Sequence, residues 1–262
     1  MATASVGGLD IRYEDTGGDG SVVLFSHGLL MDHTMFDAQV DALGDRYRCV
    51  RWDEPGFGDT RATSPFTLWD SANLAVGLLD HLGVEQAVFA GMSQGGFLSL
   101  RAALTAPERV RALVMIDSAA DPDSPAMATE NAKMFHLLCE GSEERRAKVL
   151  ASVAGILIGD PAHEAHWIAR WERIDRAQLR LAGDALLAHD DVTDRLDEIG
   201  CPALVIHGRD DHAIELARAE AVCAGLADCR GLVVVDGAAH APNVTHPTPV
   251  NEALATFLAT LA

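Results

Sequence analysis

The chain has 262 residues, 48% of them hydrophobic and 23% charged, which provides for a sizeable core and excludes a disordered protein. A formal net charge of −19, with Lys133 and Lys148 as the two lysines, argues against nucleic acid and against anionic membrane surfaces as partners. No run reaches the roughly 20 apolar residues of a bilayer span, and the start lacks the basic-then-apolar pattern of a secretory leader, so a cytoplasmic protein is expected.

In chain order, residues 9–13 alternate and run into Thr16-Gly17-Gly18-Asp19-Gly20, which predicts an antiparallel edge hairpin leading into a strand over 22–26. The loop His27-Gly28-Leu29-Leu30 follows, then a helical stretch around 36–43 and a strand over 48–52. Asp53 opens the turn Asp53-Glu54-Pro55-Gly56-Phe57-Gly58 and is expected to hydrogen-bond the turn backbone. Further strands are expected over 87–90, 112–116, 203–207 and 231–235, with helices over 97–106 and after Pro247. Short, continuous apolar runs of this kind belong to strands buried on both faces, hence to a mostly parallel sheet with helices on either side.

From about residue 120 to 196 strand signals vanish, and amphipathic helical pieces such as 127–138 and 144–158 replace them. Such an insertion packs most simply over the C-terminal edge of the sheet, where open α/β sheets bind ligands. The expected organisation is therefore a core of residues 1–119 and 197–262 with a helical cap at 120–196. Met127, Met134, Phe135, Leu138, Trp167 and Trp171 are expected to supply an apolar wall. The five cysteines (Cys49, Cys139, Cys201, Cys223, Cys229) contain no C-x-x-C pair, so free thiols are expected rather than a zinc site or disulfide framework.

The sharpest signal is Gly91-Met92-Ser93-Gln94-Gly95-Gly96, between a predicted strand and a predicted helix. A serine there occupies a tight, strained turn that lifts Oγ above the sheet and sets the helix N-terminus beneath it. Its hydroxyl becomes a nucleophile only if a base takes the proton. Of the 11 histidines, His240 has the best setting, in the small-residue loop after the last strand; His246 precedes a proline at a helix entry. The base needs a carboxylate to fix its tautomer. Asp211, in Gly208-Arg209-Asp210-Asp211, is favoured, with Asp117 and then Asp210 behind it and Asp53 assigned to its turn. Two N–H donors are needed for the oxyanion, and the backbones of Gln94 and Leu29 are the candidates. His27 is expected to brace the Leu29 loop.

Taken together, Ser26-His27-Gly28, Asp53-Glu54-Pro55-Gly56-Phe57-Gly58, Gly91 to Gly96, Gly208-Arg209-Asp210-Asp211 and Gly237-Ala238-Ala239-His240-Ala241-Pro242 resemble an α/β-hydrolase-fold enzyme over nearly the whole chain. The nearest likeness is to enol-lactonases, small carboxylesterases and cofactor-free perhydrolases; meta-cleavage carbon–carbon hydrolases are similar too. The resemblance implies that the acid is the residue three after the glycine of the Gly-x-x-Asp turn, which is Asp211; the proline the family carries after this turn is replaced by Ile214-Glu215. It further implies hydrolysis of a small-molecule ester or lactone through an acyl-enzyme, with neither metal nor organic cofactor; the sequence leaves open whether the chain is a monomer or a homo-oligomer. The competing expectations are a perhydrolase or oxygenase, a carbon–carbon bond hydrolase on the same triad, and a ligand receptor without turnover.

Overall fold

The apolar runs become strands β1 (Ala2–Val6), β2 (Leu9–Asp15), β3 (Val22–Ser26), β4 (Arg48–Trp52), β5 (Ala87–Met92), β6 (Val110–Ile116), β7 (Ala203–Gly208) and β8 (Cys229–Val235) in a computed structural model that describes residues 1–261. They form one sheet in the order β1-β2-β4-β3-β5-β6-β7-β8, parallel from β4 through β8 and antiparallel where β2 meets β1 and β4. Every residue of β3, β5 and β7 is buried. Alternation divides them between two cores: Val23 and Phe25 pack on one face, Leu24 and Phe89 on the other. That explains why these strands read as unbroken apolar runs.

The helices are α1 (Asp37–Leu43), α2 (Leu68–His81), α3 (Gln94–Thr105), α4 (Pro125–Glu140), α5 (Glu143–Leu157), α6 (Pro161–Trp171), α7 (Arg176–Leu187), α8 (Leu216–Gly225), α9 (Pro242–Thr245) and α10 (Pro247–Ala259). α2 is absent from the expected elements, although Thr67 and Asp70 form a reciprocal capping box at its start. No helix is long and apolar enough to cross a membrane.

Two expectations are corrected. β2 does not pair with the strand at 22–26; its partners are β1, which the sequence reading omits, and β4. Both edges of β3 are already taken by β4 and β5, so β2 can join the sheet only farther out. Cys223 and Cys229, expected as free thiols, form a disulfide between α8 and β8 across a Cα–Cα separation of 5.4 Å.

The four helices α4 to α7 lie between β6 and β7 in the chain. Buried Arg146 ties α5 to the end of α6 by donating to the carbonyls of Trp171 and Ile174, both at 3.0 Å. Hydrogen bonds join the insertion to the rest of the molecule at several points, Arg61 to Asp175 at 2.9 Å among them. Gln178 exchanges hydrogen bonds with the backbone of Ala62, and the Nε of Arg170 donates to Asp32 at 2.9 Å.

Candidate active site

Ser93 stands where β5 turns into α3, with φ 51° and ψ −114°, a conformation that a residue with a side chain keeps only under constraint. The constraint is visible. The Ser93 N–H donates to the Ile116 carbonyl at 2.8 Å, and the Ser93 carbonyl accepts from Ser118 Oγ at 2.8 Å and from the Gly96 N–H at 2.9 Å. A Cβ on Gly91 would collide with the Gly95 backbone, and one on Gly95 with the Ser26 carbonyl, so no larger residues could close this turn. Gln94 opens α3, which leaves its N–H among the unpaired donors of the helix's first turn. Leu30 (φ 65°) and Asp117 (φ 44°) are the other non-glycine residues of positive φ among the described residues, each after a parallel strand.

His240 lies in the loop after β8, nearly buried, and its Nδ1 donates to Asp211 Oδ2 at 2.7 Å. Oδ1 of Asp211 accepts from the N–H groups of Ala213 at 2.7 Å and Ile214 at 3.0 Å. Burial works to raise the Asp211 pKa, but the charge and hydrogen bond of His240, the Ile214 N–H and His207 outweigh it and hold the carboxyl below its ordinary value. Asp117, at the end of adjacent β6, behaves oppositely. Complete burial and the neighbouring Asp211 push its pKa well up, against the opposing hydrogen bond it accepts from the Gly208 N–H at 2.8 Å. The structure thus brings Asp211, not Asp117, into hydrogen bond with His240. Asp210 is exposed beside them.

Ser93, His240 and Leu29 all line one cavity of about 270 Å³, so the sequence-selected serine, histidine and loop residue meet at a single space. No hydrogen bond joins Ser93 Oγ to His240 among the described residues; such contacts often tighten only when substrate is bound. Of the expected wall, Met127, Met134 and Phe135 line the cavity. Leu138, Trp167 and Trp171 do not; they are buried in the packing of the inserted helices.

Around this space His27 and Asp53 act as braces. His27 donates from Nδ1 to the Gly28 carbonyl at 2.8 Å and accepts the Glu54 N–H on Nε2 at 2.9 Å; burial lowers its pKa, which suits a neutral ring. Asp53 accepts from His33 Nδ1 at 2.7 Å and from the Asp59 N–H at 2.9 Å, the turn role expected of it. His246 bonds to Thr245 at 2.9 Å at the entry to α10. Asp32, His33 and Asp53 gather ligand-type atoms, as do Asp117, Asp211 and His240, but the carboxylates of the first group already serve Arg170, Thr34 and His33.

Sequence reasoning misses two groups here. Glu54 is fully buried and accepts from the Gln94 side chain at 2.6 Å; burial pushes its pKa up to about 8, opposed by that hydrogen bond. His207 is buried beneath the two aspartates and bonds through Nε2 to the Ile214 carbonyl at 2.9 Å. Glu54 stands inside a motif whose pattern indicates a turn, and His207 inside a run whose pattern indicates a strand.

The comparisons with known proteins agree with this architecture. A family model described as alpha/beta hydrolase fold matches residues 21–163. A Rhizobium rhizogenes protein provisionally named carbamate hydrolase RutD is 30% identical, over 92% of this chain and 93% of its own. The pimeloyl-[acyl-carrier protein] methyl ester esterase of Aeromonas hydrophila is 29% identical, over 92% of this chain and 96% of its own. Among solved structures, a thermophilic esterase from Thermogutta terrifontis superposes with a TM-score of 0.89 at 25% identity, covering 99% of this chain and 98% of that one. The enol-lactonase of Burkholderia xenovorans superposes at 0.87 with 24% identity, covering 98% and 100%, and so speaks for the fold.

Proposed function

The chain belongs to the alpha/beta hydrolase fold family, and we propose that it hydrolyses a carboxylic ester or lactone with Ser93 as nucleophile, His240 as base and Asp211 as the acid that orients it. The observation that carries this reading is the His240–Asp211 hydrogen bond of 2.7 Å at the cavity lined by Ser93. Asp211, held ionised, fixes the tautomer with the proton on Nδ1 and leaves Nε2 free to accept.

In the first half-reaction Nε2 takes the Ser93 proton as Oγ adds to the carbonyl carbon. The N–H groups of Leu29 and Gln94 receive the oxyanion. Collapse breaks the acyl–oxygen bond, and the imidazolium returns its proton to the departing alkoxide. Water then adds to the acyl-enzyme with His240 again as base, and the acid leaves with one water oxygen. No step calls for a metal or organic cofactor. Helices α4 to α7 serve as a cap that narrows entry to this space, with cap boundaries near residues 120 and 196. The substrate in this reading is a free small molecule.

Carbamate hydrolysis is the second reading, favoured by the 30% identity to a relative of that name; it uses the same attack on a carbonyl. Assays of p-nitrophenyl esters, lactones and alkyl carbamates with wild type and Ser93→Ala test both. Loss of about 10⁴-fold or more in ester turnover by a folded Ser93→Ala protein is expected. Turnover surviving the substitution would defeat the serine mechanism, and turnover of carbamates alone would select the second reading. Perhydrolysis would appear as peracid formed in added peroxide.

A further inference from the structure

We infer that the cavity takes a small, uncharged, apolar ester or lactone and rejects substrates that carry a carboxylate, an inference that rests on the serine-hydrolase reading above. The walls contributed by α4 and α5 include Met127, Met134, Phe135, Ile156 and Leu157. Met127 and Ile156 are 44% and 41% exposed, and they account for two of the three exposed large hydrophobic residues among those described. Apolar surface left in water beside a cavity marks a mouth for apolar molecules. At about 270 Å³ the space falls just below the usual range of roughly 300–1,000 Å³ for ligand pockets, so the substrate is small.

The charges around the cavity argue the exclusion. Among the described residues lining it none is arginine or lysine, and Asp123 is the one carboxylate. The cation beside it, Arg218, already donates to Asp121 at 2.9 Å, to Asp123 at 3.1 Å and to the Asp121 carbonyl at 2.6 Å. The second Asp123 oxygen accepts from Asn131 at 2.8 Å. The ring nitrogens of His189 face the carbonyls of Leu186 and Asp121, and His212 is exposed to water at the rim. A bound carboxylate would lose hydration without gaining a cation, whereas a methyl group in its place loses nothing.

Methyl hexanoate and monomethyl adipate differ only in a terminal methyl against a carboxylate, and dimethyl adipate is the uncharged control on the same diacid backbone. Followed by pH-stat and chromatography at physiological ionic strength, methyl hexanoate should show a kcat/KM at least about 100-fold above monomethyl adipate. Dimethyl adipate should lose one methyl ester and stop, with the monoester accumulating. Met127→Arg, at an exposed position that tolerates a charge, should raise the monoester-to-hexanoate ratio by about tenfold. Comparable rates for the two monoesters, a second cleavage as fast as the first, or no turnover of either would overturn the inference. Ser93→Ala separates the two levels. An inactive variant beside a wild type indifferent to the carboxylate sinks the specificity alone, and a fully active variant sinks the serine mechanism with it.

Discussion

Asp211 and Asp117 close adjacent strands, and their surroundings give them opposite ionisation. Asp211 stays charged because His240 and two backbone N–H groups face it; Asp117 is driven towards the neutral acid by burial beside that charge. Asp211→Asn should therefore lower kcat by about 10³–10⁴-fold, since the amide favours the wrong histidine tautomer. Asp117→Asn keeps an acceptor for the Gly208 N–H and should lower kcat by less than about tenfold, a contrast that steady-state kinetics reads directly. Glu54 yields a pH prediction. Its folded pKa of about 8 lies above the ordinary 4.5, so the folded protein holds this proton more tightly than the unfolded chain. The stability this confers is complete below about pH 4.5, erodes as pH rises through that window and is gone above about pH 8. Glu54→Gln cannot ionise and keeps an acceptor for Gln94. Its melting temperature should match wild type near about pH 5 and exceed it near about pH 9; a difference that does not grow with pH would contradict the buried acid.

Among the elements, the strands were the most legible, because burial on both faces writes itself as an unbroken apolar run. β1 was not, since Ala2-Thr3-Ala4-Ser5-Val6 is small, and one residue of the five is buried. The partner of β2 was also beyond reading, because alternation reveals a strand but not which neighbour has a free edge. The inserted helices were visible by their periodicity, yet the split of their apolar residues between cavity and interior was not. Phe135 belongs to both: it lines the cavity, and a Cβ at Gly183 of α7 would meet its ring. Phe135→Ala should cost about 3–5 kcal/mol in denaturant unfolding, as expected for a buried aromatic side chain. It should also relax the size limit of the cavity, so that longer acyl esters gain relative to short ones.

At the scale of the whole molecule, a parallel sheet delivers the C-terminal ends of its strands to one rim. That is why residues 93, 211 and 240 could be singled out from their positions after predicted strands. Contacts that bridge the layers were not legible: Glu54 to Gln94 spans 40 positions and Asp117 to Gly208 spans 91, with no local pattern to announce either. The central claim is that this rim makes one hydroxyl reactive. The most direct measurement is the intact mass of the protein after brief treatment with a fluorophosphonate, followed by peptide mapping of the adduct. A single adduct on Ser93 is expected, absent from Ser93→Ala and formed far more slowly in His240→Ala. An unmodified Ser93, or an adduct carried elsewhere in the chain, would contradict it.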